Sequence, residues 1–168
     1  MPPLEPCHGS VWTRRPMAGA SMQDHYRELV NGHLSPALRQ RGFKGSAGRY
    51  VLPSATTWSL LELQKSAFSD RYHVRFTANL LVVSRSTWHH SGTAPTIASL
   101  CPQPGAEDER ASAQVRLGML ASVHDVDDWW TVDPATDVAT VAASFLTALD
   151  RHGMPWMKHR AGVMDRAG

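Results

Sequence analysis

Six polar side chains, Glu62, Gln64, His73, Arg75, Asn79 and Arg116, fall where strand periodicity would line them across one face of a sheet. A guanidinium holds a carboxylate or phosphate through two parallel hydrogen bonds, so Arg75 and Arg116 would be the recognition groups. Glu62, Gln64 and Asn79 would add acceptors and amide donors, and His73 a ring nitrogen that can donate or accept. Such a set can bind a polar or anionic ligand. The plain alternative is a solvated face decorated with cross-strand ion pairs, for example Glu62 with Arg75.

Other chemistries find less support. The chain has nine histidines. His89-His90 follow Trp88, and His124-Asp125 precede Asp127-Asp128, but neither group has the spacing of a zinc protease helix or a structural zinc site. No metal and no other cofactor is implied. There is no Gly-x-Ser-x-Gly elbow, and the two cysteines, Cys7 and Cys101, lie apart in proline-rich stretches. The run Gly42 to Gly48 is glycine-rich but lacks the Walker pattern and precedes a strand, so it reads as a helix cap and turn. Arg39, Arg41, Lys44 and Arg49, with Phe43 and Tyr50 as stacking rings, could meet RNA. A basic helix end that complements its dipole explains the same residues, and acidic stretches at 107–109 and 124–128 offset the charge. Of Trp129 and Trp130, one is expected as a core anchor and the other as a rim residue.

The elements that would carry these residues follow from periodicity. Residues 1–20, with four prolines and no apolar repeat, read as a disordered arm. Ser21 caps a helix whose apolar stripe is Met22, Tyr26, Leu29, Val30, Leu34 and Leu38. Pro36 predicts a kink or a restart with Ser35 as the new cap, and Gly42 closes the helix before Phe43. Strands are predicted at 49–52, 57–66 and 71–84, with Ser69-Asp70 in an antiparallel turn. Tyr72, Val74, Phe76, Ala78, Leu80 and Val82 would point inward together with Leu61 and Leu63. That parity turns the six polar residues outward.

Residues 85–113 are rich in serine and proline and read as a long loop. A fourth strand is expected at 115–120 and a short one at 129–132. Asp133-Pro134 opens a second helix with Val138, Val141, Ala142, Phe145 and Leu149 on one face, ended by Gly153. Residues 154–168 then form a tail anchored by Trp156. The expectation is one α+β domain over 21–153. It has an antiparallel sheet of four to five strands, with an N-terminal and a C-terminal helix packed on one face.

Length and composition agree with that class. The chain has 168 residues, of which 42% are hydrophobic, enough for a core without staples. A net charge of +2 is too weak to demand nucleic acid. No apolar run nears the ~20 residues that cross a bilayer, and no signal-peptide pattern is present. A cytoplasmic protein with free thiols and no membrane partner is expected.

The string from Leu34 to Phe43, then Tyr50, then Leu63-Gln64-Lys65-Ser66, Arg116-Leu117-Gly118 and Trp129-Trp130 occurs here in that order. In this the chain resembles the domain of unknown function 4304 family over roughly residues 22–152. The resemblance implies a small stand-alone bacterial protein of α+β architecture, and it supplies no catalytic residues. The segment 89–113 departs from the pattern.

The leading functional expectation is a non-enzymatic module that binds a protein partner through the open sheet face or the long loop, in an accessory role. The alternatives are a small-molecule or hydrolytic domain using His73, Glu62 and Arg75 in a cleft, and RNA binding at the basic helix end.

Overall fold

The structure, a computed structural model, describes residues 21–86, 112–124 and 126–167. The expected residues 1–20 arm and most of the 85–113 loop lie outside them, as do Cys7, Cys101 and the His89-His90 pair.

The first helical run is α1 (Met22–Glu28) and α2 (Ser35–Gln40), joined through a wide turn at Leu29–Leu34. Its start is a capping box: the Ser21 hydroxyl accepts from the Asp24 amide, and the Asp24 carboxylate accepts from the Ser21 amide at 3.1 Å. Pro36 has no N–H to bond the carbonyl four residues back, so the ladder loosens just before it. The Ser35 amide there reaches five residues back, to the carbonyl of Val30. Ser35 is therefore not the new cap that the sequence suggests. Its backbone is helical, and its buried hydroxyl meets the Tyr50 hydroxyl at 2.5 Å. Gly42, with φ +91°, ends the run, and the Phe43 amide folds back to the Leu38 carbonyl as a left-handed cap requires.

Six antiparallel strands follow, one more than expected. β1 (Lys44–Ser46) and β2 (Arg49–Leu52) form a hairpin whose two-residue turn, Ala47-Gly48, has φ +53° and +84°. Periodicity missed β1 because three residues that include a glycine carry no pattern. β3 (Thr57–Lys65) and β4 (Val74–Ser84) are the long central pair. On the far edge of β4, β5 (Ser112–Arg116) pairs with Asn79–Val83, and β6 (Trp130–Val132) pairs with Val74–Phe76. The predicted strand at 115–120 therefore stops at Arg116, and Leu117–Ala121 is a short helix, α3.

The last helical run is α4 (Val138–Ala148) and α5 (Met154–Ala167), joined through a second wide turn at Leu149–Gly153. Asp137, not Asp133, is its cap; Asp133 instead caps the turn before it, accepting from the Ala135 amide. The expected tail at 154–168 is helix, with Met157 and Met164 in the core. Gly153 is not a terminator. The cause of the wide turn is again a proline: Pro155 leaves a carbonyl without its donor, and the Met154 amide bonds five residues back to Leu149. Gly153 lies close against Leu149, Leu117 and Leu80, where a side chain would be crowded.

One layer of helices covers one face of the sheet, which makes the protein α+β. The core holds Tyr50, Leu61, Phe76, Ala78, Leu80 and Val82 from the sheet against Leu29, Leu34, Leu38, Phe145, Leu149 and Met157 from the helices. Phe76 is central, with ring centroids of Tyr26, Phe145 and Trp130 at 5.6, 5.8 and 6.2 Å. The even-numbered parity of β4 holds from Val74 to Val82. Tyr72 departs from it: β4 begins at Val74, and Tyr72 is 61% exposed in the preceding turn.

Candidate functional site

Register decides which predicted site residues can meet. Cross-strand partners share a face, so the row Arg49, Glu62, Asn79, Arg116 runs across β2, β3, β4 and β5 on the face away from the helices. Gln64 lies opposite Thr77, and Arg75 opposite Thr131, further along the same face. Five of the six residues therefore share one surface. His73 is the exception. It precedes β4, and its Nδ1 sits 3.1 Å from the Asp70 carboxylate, which also caps the turn by accepting from the Tyr72 and His73 amides. Those two amides, chiefly, hold the Asp70 carboxyl below its usual range.

The structure pairs most of this set off internally. Glu62 accepts from Arg49 Nε at 3.1 Å, not from Arg75. Asn79 Nδ2 donates to Gln64 Oε1 at 2.8 Å. Arg116 Nη1 donates to Asp127 Oδ2 at 2.6 Å, and the same oxygen accepts from Trp129 Nε1 at 3.0 Å. The Arg75 guanidinium alone has no side-chain partner among the described residues. His73 lies six residues along the chain from Asn79, the residue beside Glu62, or about 20 Å at the strand's rise. His73, Glu62 and Arg75 thus do not converge on a cleft, and the hydrolytic arrangement is not assembled.

Nor is this face uniformly wet. Along β4, Thr77, Asn79, Leu81 and Val83 are all buried although they point away from the helices. Leu81 and Val83 form a second apolar cluster with Trp58 and Leu60. Arg85 lies over the Trp58 ring at 3.7 Å and donates to the Thr57 carbonyl. Period-two alternation hid this cluster, because the run Leu80 to Val83 is apolar at every position, so Leu81 and Val83 on this face do not stand out from Leu80 and Val82 on the other. At the other end, where β5 and β6 part, Thr77 Oγ1 and Asp127 Oδ1 are buried without a hydrogen-bond partner among the described residues. Asp127 was legible only as part of an acidic turn.

The basic helix end does not offer the rings that stacking requires. Phe43 and Tyr50 lie in the core at 2% and 1% exposure. Arg41 is held in a two-pronged pair by Asp150, at 2.7 and 2.6 Å. Of the two adjacent tryptophans, Trp130 packs against Phe145 and Phe76, and Trp129 lies at the rim beside Arg116. Among the described residues, no three His, Cys, Asp or Glu side chains are grouped to hold a metal, and no helix is long and apolar enough to cross a membrane.

No curated protein and no solved structure matches the chain. The model of one family, described as a domain of unknown function (DUF4304), matches residues 34–159, from the wide turn of the first helical run into α5. With well over half of its length so matched, the chain belongs to the DUF4304 family.

Proposed function

We propose that the sheet face turned away from the helices binds a protein partner, one that presents carboxylates around an apolar anchor. The observation that supports this is the mixed surface built around Trp58. It combines a half-buried ring, an arginine stacked on it and the half-buried Leu60, with Leu81 and Val83 buried beneath as support. Tryptophan and arginine are the residue types that most often carry interface energy. The face also has a charge surplus. Arg49, Arg75, Arg85, Arg116 and Lys44, which shares the face through Val51 and Leu60, stand against Glu62 and Asp127, five positive charges to two negative, which leaves three over. That surplus steers an acidic partner and disfavours a basic one. The pairing of Glu62, Gln64, Asn79 and Arg116 with their neighbours suits a rigid recognition surface better than catalysis, which needs groups free to move protons.

The test is affinity capture from the native host with wild-type protein and two variants. Trp58→Ala removes the anchor, and Arg75→Glu reverses a charge without touching the core. A protein held by wild type and released by both changes supports the reading, provided both variants keep their far-ultraviolet circular dichroism. Capture that is indifferent to both changes overturns it.

A further inference from the structure

A cleft of about 440 Å³ opens on the opposite side of the molecule, between α1 and the turn of the β1–β2 hairpin. That volume lies within the usual range of small-molecule sites. Leu63 and Val30 supply apolar walls, the Tyr26 ring a flat one, and Lys65 and Arg27 a cationic rim, in which Arg27 is already paired with Asp24 at 2.7 Å. The hairpin tip is tied down: the Leu63 amide donates to the Gly48 carbonyl at 2.7 Å, so this wall is preformed.

Three features give the cleft a chemical preference. Lys65 Nζ stands 5.4 Å from the Tyr26 ring centroid and donates to Gln23 Oε1 at 3.1 Å. Among the described residues no carboxylate neutralises it, and an ammonium has further donors to give. The Tyr26 side chain is largely buried, which pushes its pKa up to about 12, and its hydroxyl makes no hydrogen bond to the described residues. Ala47 holds a left-handed backbone, φ +53°, in a turn that favours Asn-Gly. An alanine there is strained, and its methyl is smaller than an asparagine side chain, which would narrow the cleft it lines.

We infer that this cleft binds a small planar molecule carrying a carboxylate, its ring against Tyr26 and Leu63 and its carboxylate on Lys65. The site is separate from the face assigned to a protein partner, and neither reading depends on the other.

The test is amide NMR of the isotope-labelled full-length protein, titrated with naphthoate and with its neutral isostere naphthamide. Naphthoate is expected to give saturable shifts at Gln23, Asn31, Gly48 and Lys65. Lys65→Met, which keeps the stem and removes the charge, should weaken naphthoate about tenfold, the worth of one charge-assisted hydrogen bond. It should leave naphthamide unchanged. Lys65 is exposed at a strand end, so the variant keeps its fold, and Ala47→Asn provides a second check by weakening both probes together. The inference is overturned by shifts centred outside the cleft, by absence of saturation at millimolar naphthoate, or by equal naphthoate affinity in wild type and Lys65→Met.

Discussion

Replacing Gly118 by alanine sets two effects of opposite sign against each other. Gly118 is the second residue of α3, and no unusual backbone angle requires a glycine there. Helix propensity alone would have alanine stabilise the fold by about 1 kcal/mol. The space argues the other way. A β-carbon at 118 would stand 1.9 Å from the Asp128 carbonyl oxygen and 3.1 Å from Asp127 Oδ1. Ordinary carbon contacts start near 3.5 Å, so the 127–128 backbone would have to retreat by about 1.5 Å. It has little freedom to do so, because Trp130 two residues on is paired with Phe76. Overpacking of this kind costs about 1–3 kcal/mol. The retreat would also stretch the Arg116–Asp127 contact of 2.6 Å and the Trp129–Asp127 contact of 3.0 Å, hydrogen bonds to a charged group worth about 1.5–3 kcal/mol. After the propensity gain, the net expectation is destabilisation by about 2–4 kcal/mol. Urea denaturation followed by tryptophan fluorescence would show this as a midpoint lower by about 1–2 M. Gly162→Ala is the control. Its β-carbon would meet nothing closer than Arg166 Nη1 at 3.9 Å, so propensity should win and raise stability by about 0.5–1 kcal/mol. A Gly118→Ala protein with a midpoint at or above wild type would refute the reasoning.

Two further perturbations probe other parts of the frame. Tyr50→Phe strands the buried Ser35 hydroxyl and should destabilise by about 1–3 kcal/mol, while adding Ser35→Ala should recover part of that loss, measured as a double-mutant cycle in urea. Hydrogen bonds from Arg41, chiefly, hold the Asp150 carboxyl below its ordinary 3.8, with the guanidinium charge adding and burial opposing. A carboxyl with a depressed folded value lends stability that is complete above the unfolded value, near pH 4, and is lost as the pH falls through the folded one. Asp150→Asn should therefore be less stable than wild type at neutral pH, by no more than about 1 kcal/mol for so exposed a pair, and the gap should close on acidification below pH 4. A gap that widens in acid would show the sign to be wrong.

Local pattern was enough to determine the helix cap at Ser21, the closing cap at Gly42, and the period-two parity that buries Val74, Phe76, Ala78 and Leu80 under helices. Each depends on residues within one or two turns of one another, so a single stretch of sequence contains the whole cause. The two prolines behave differently. Pro36 was legible as a break, yet whether it kinks, restarts or widens a helix depends on what the loosened turn packs against. The same ambiguity at Pro155 made Gly153 look like an end when it is a contact point for Leu80, Leu117 and Leu149.

Site assembly belonged to tertiary structure for the same reason. Parity placed Glu62, Gln64, Arg75, Asn79 and Arg116 on one face, but the distance along a strand separates His73 from Glu62. Partners from elsewhere in the chain, Arg49 and Asp127, neutralise Glu62 and Arg116. The cleft beside Tyr26 joins side chains from α1, a hairpin turn and the end of β3. No periodicity connects such elements, because only the packing of a helix on a sheet brings them within reach of one another.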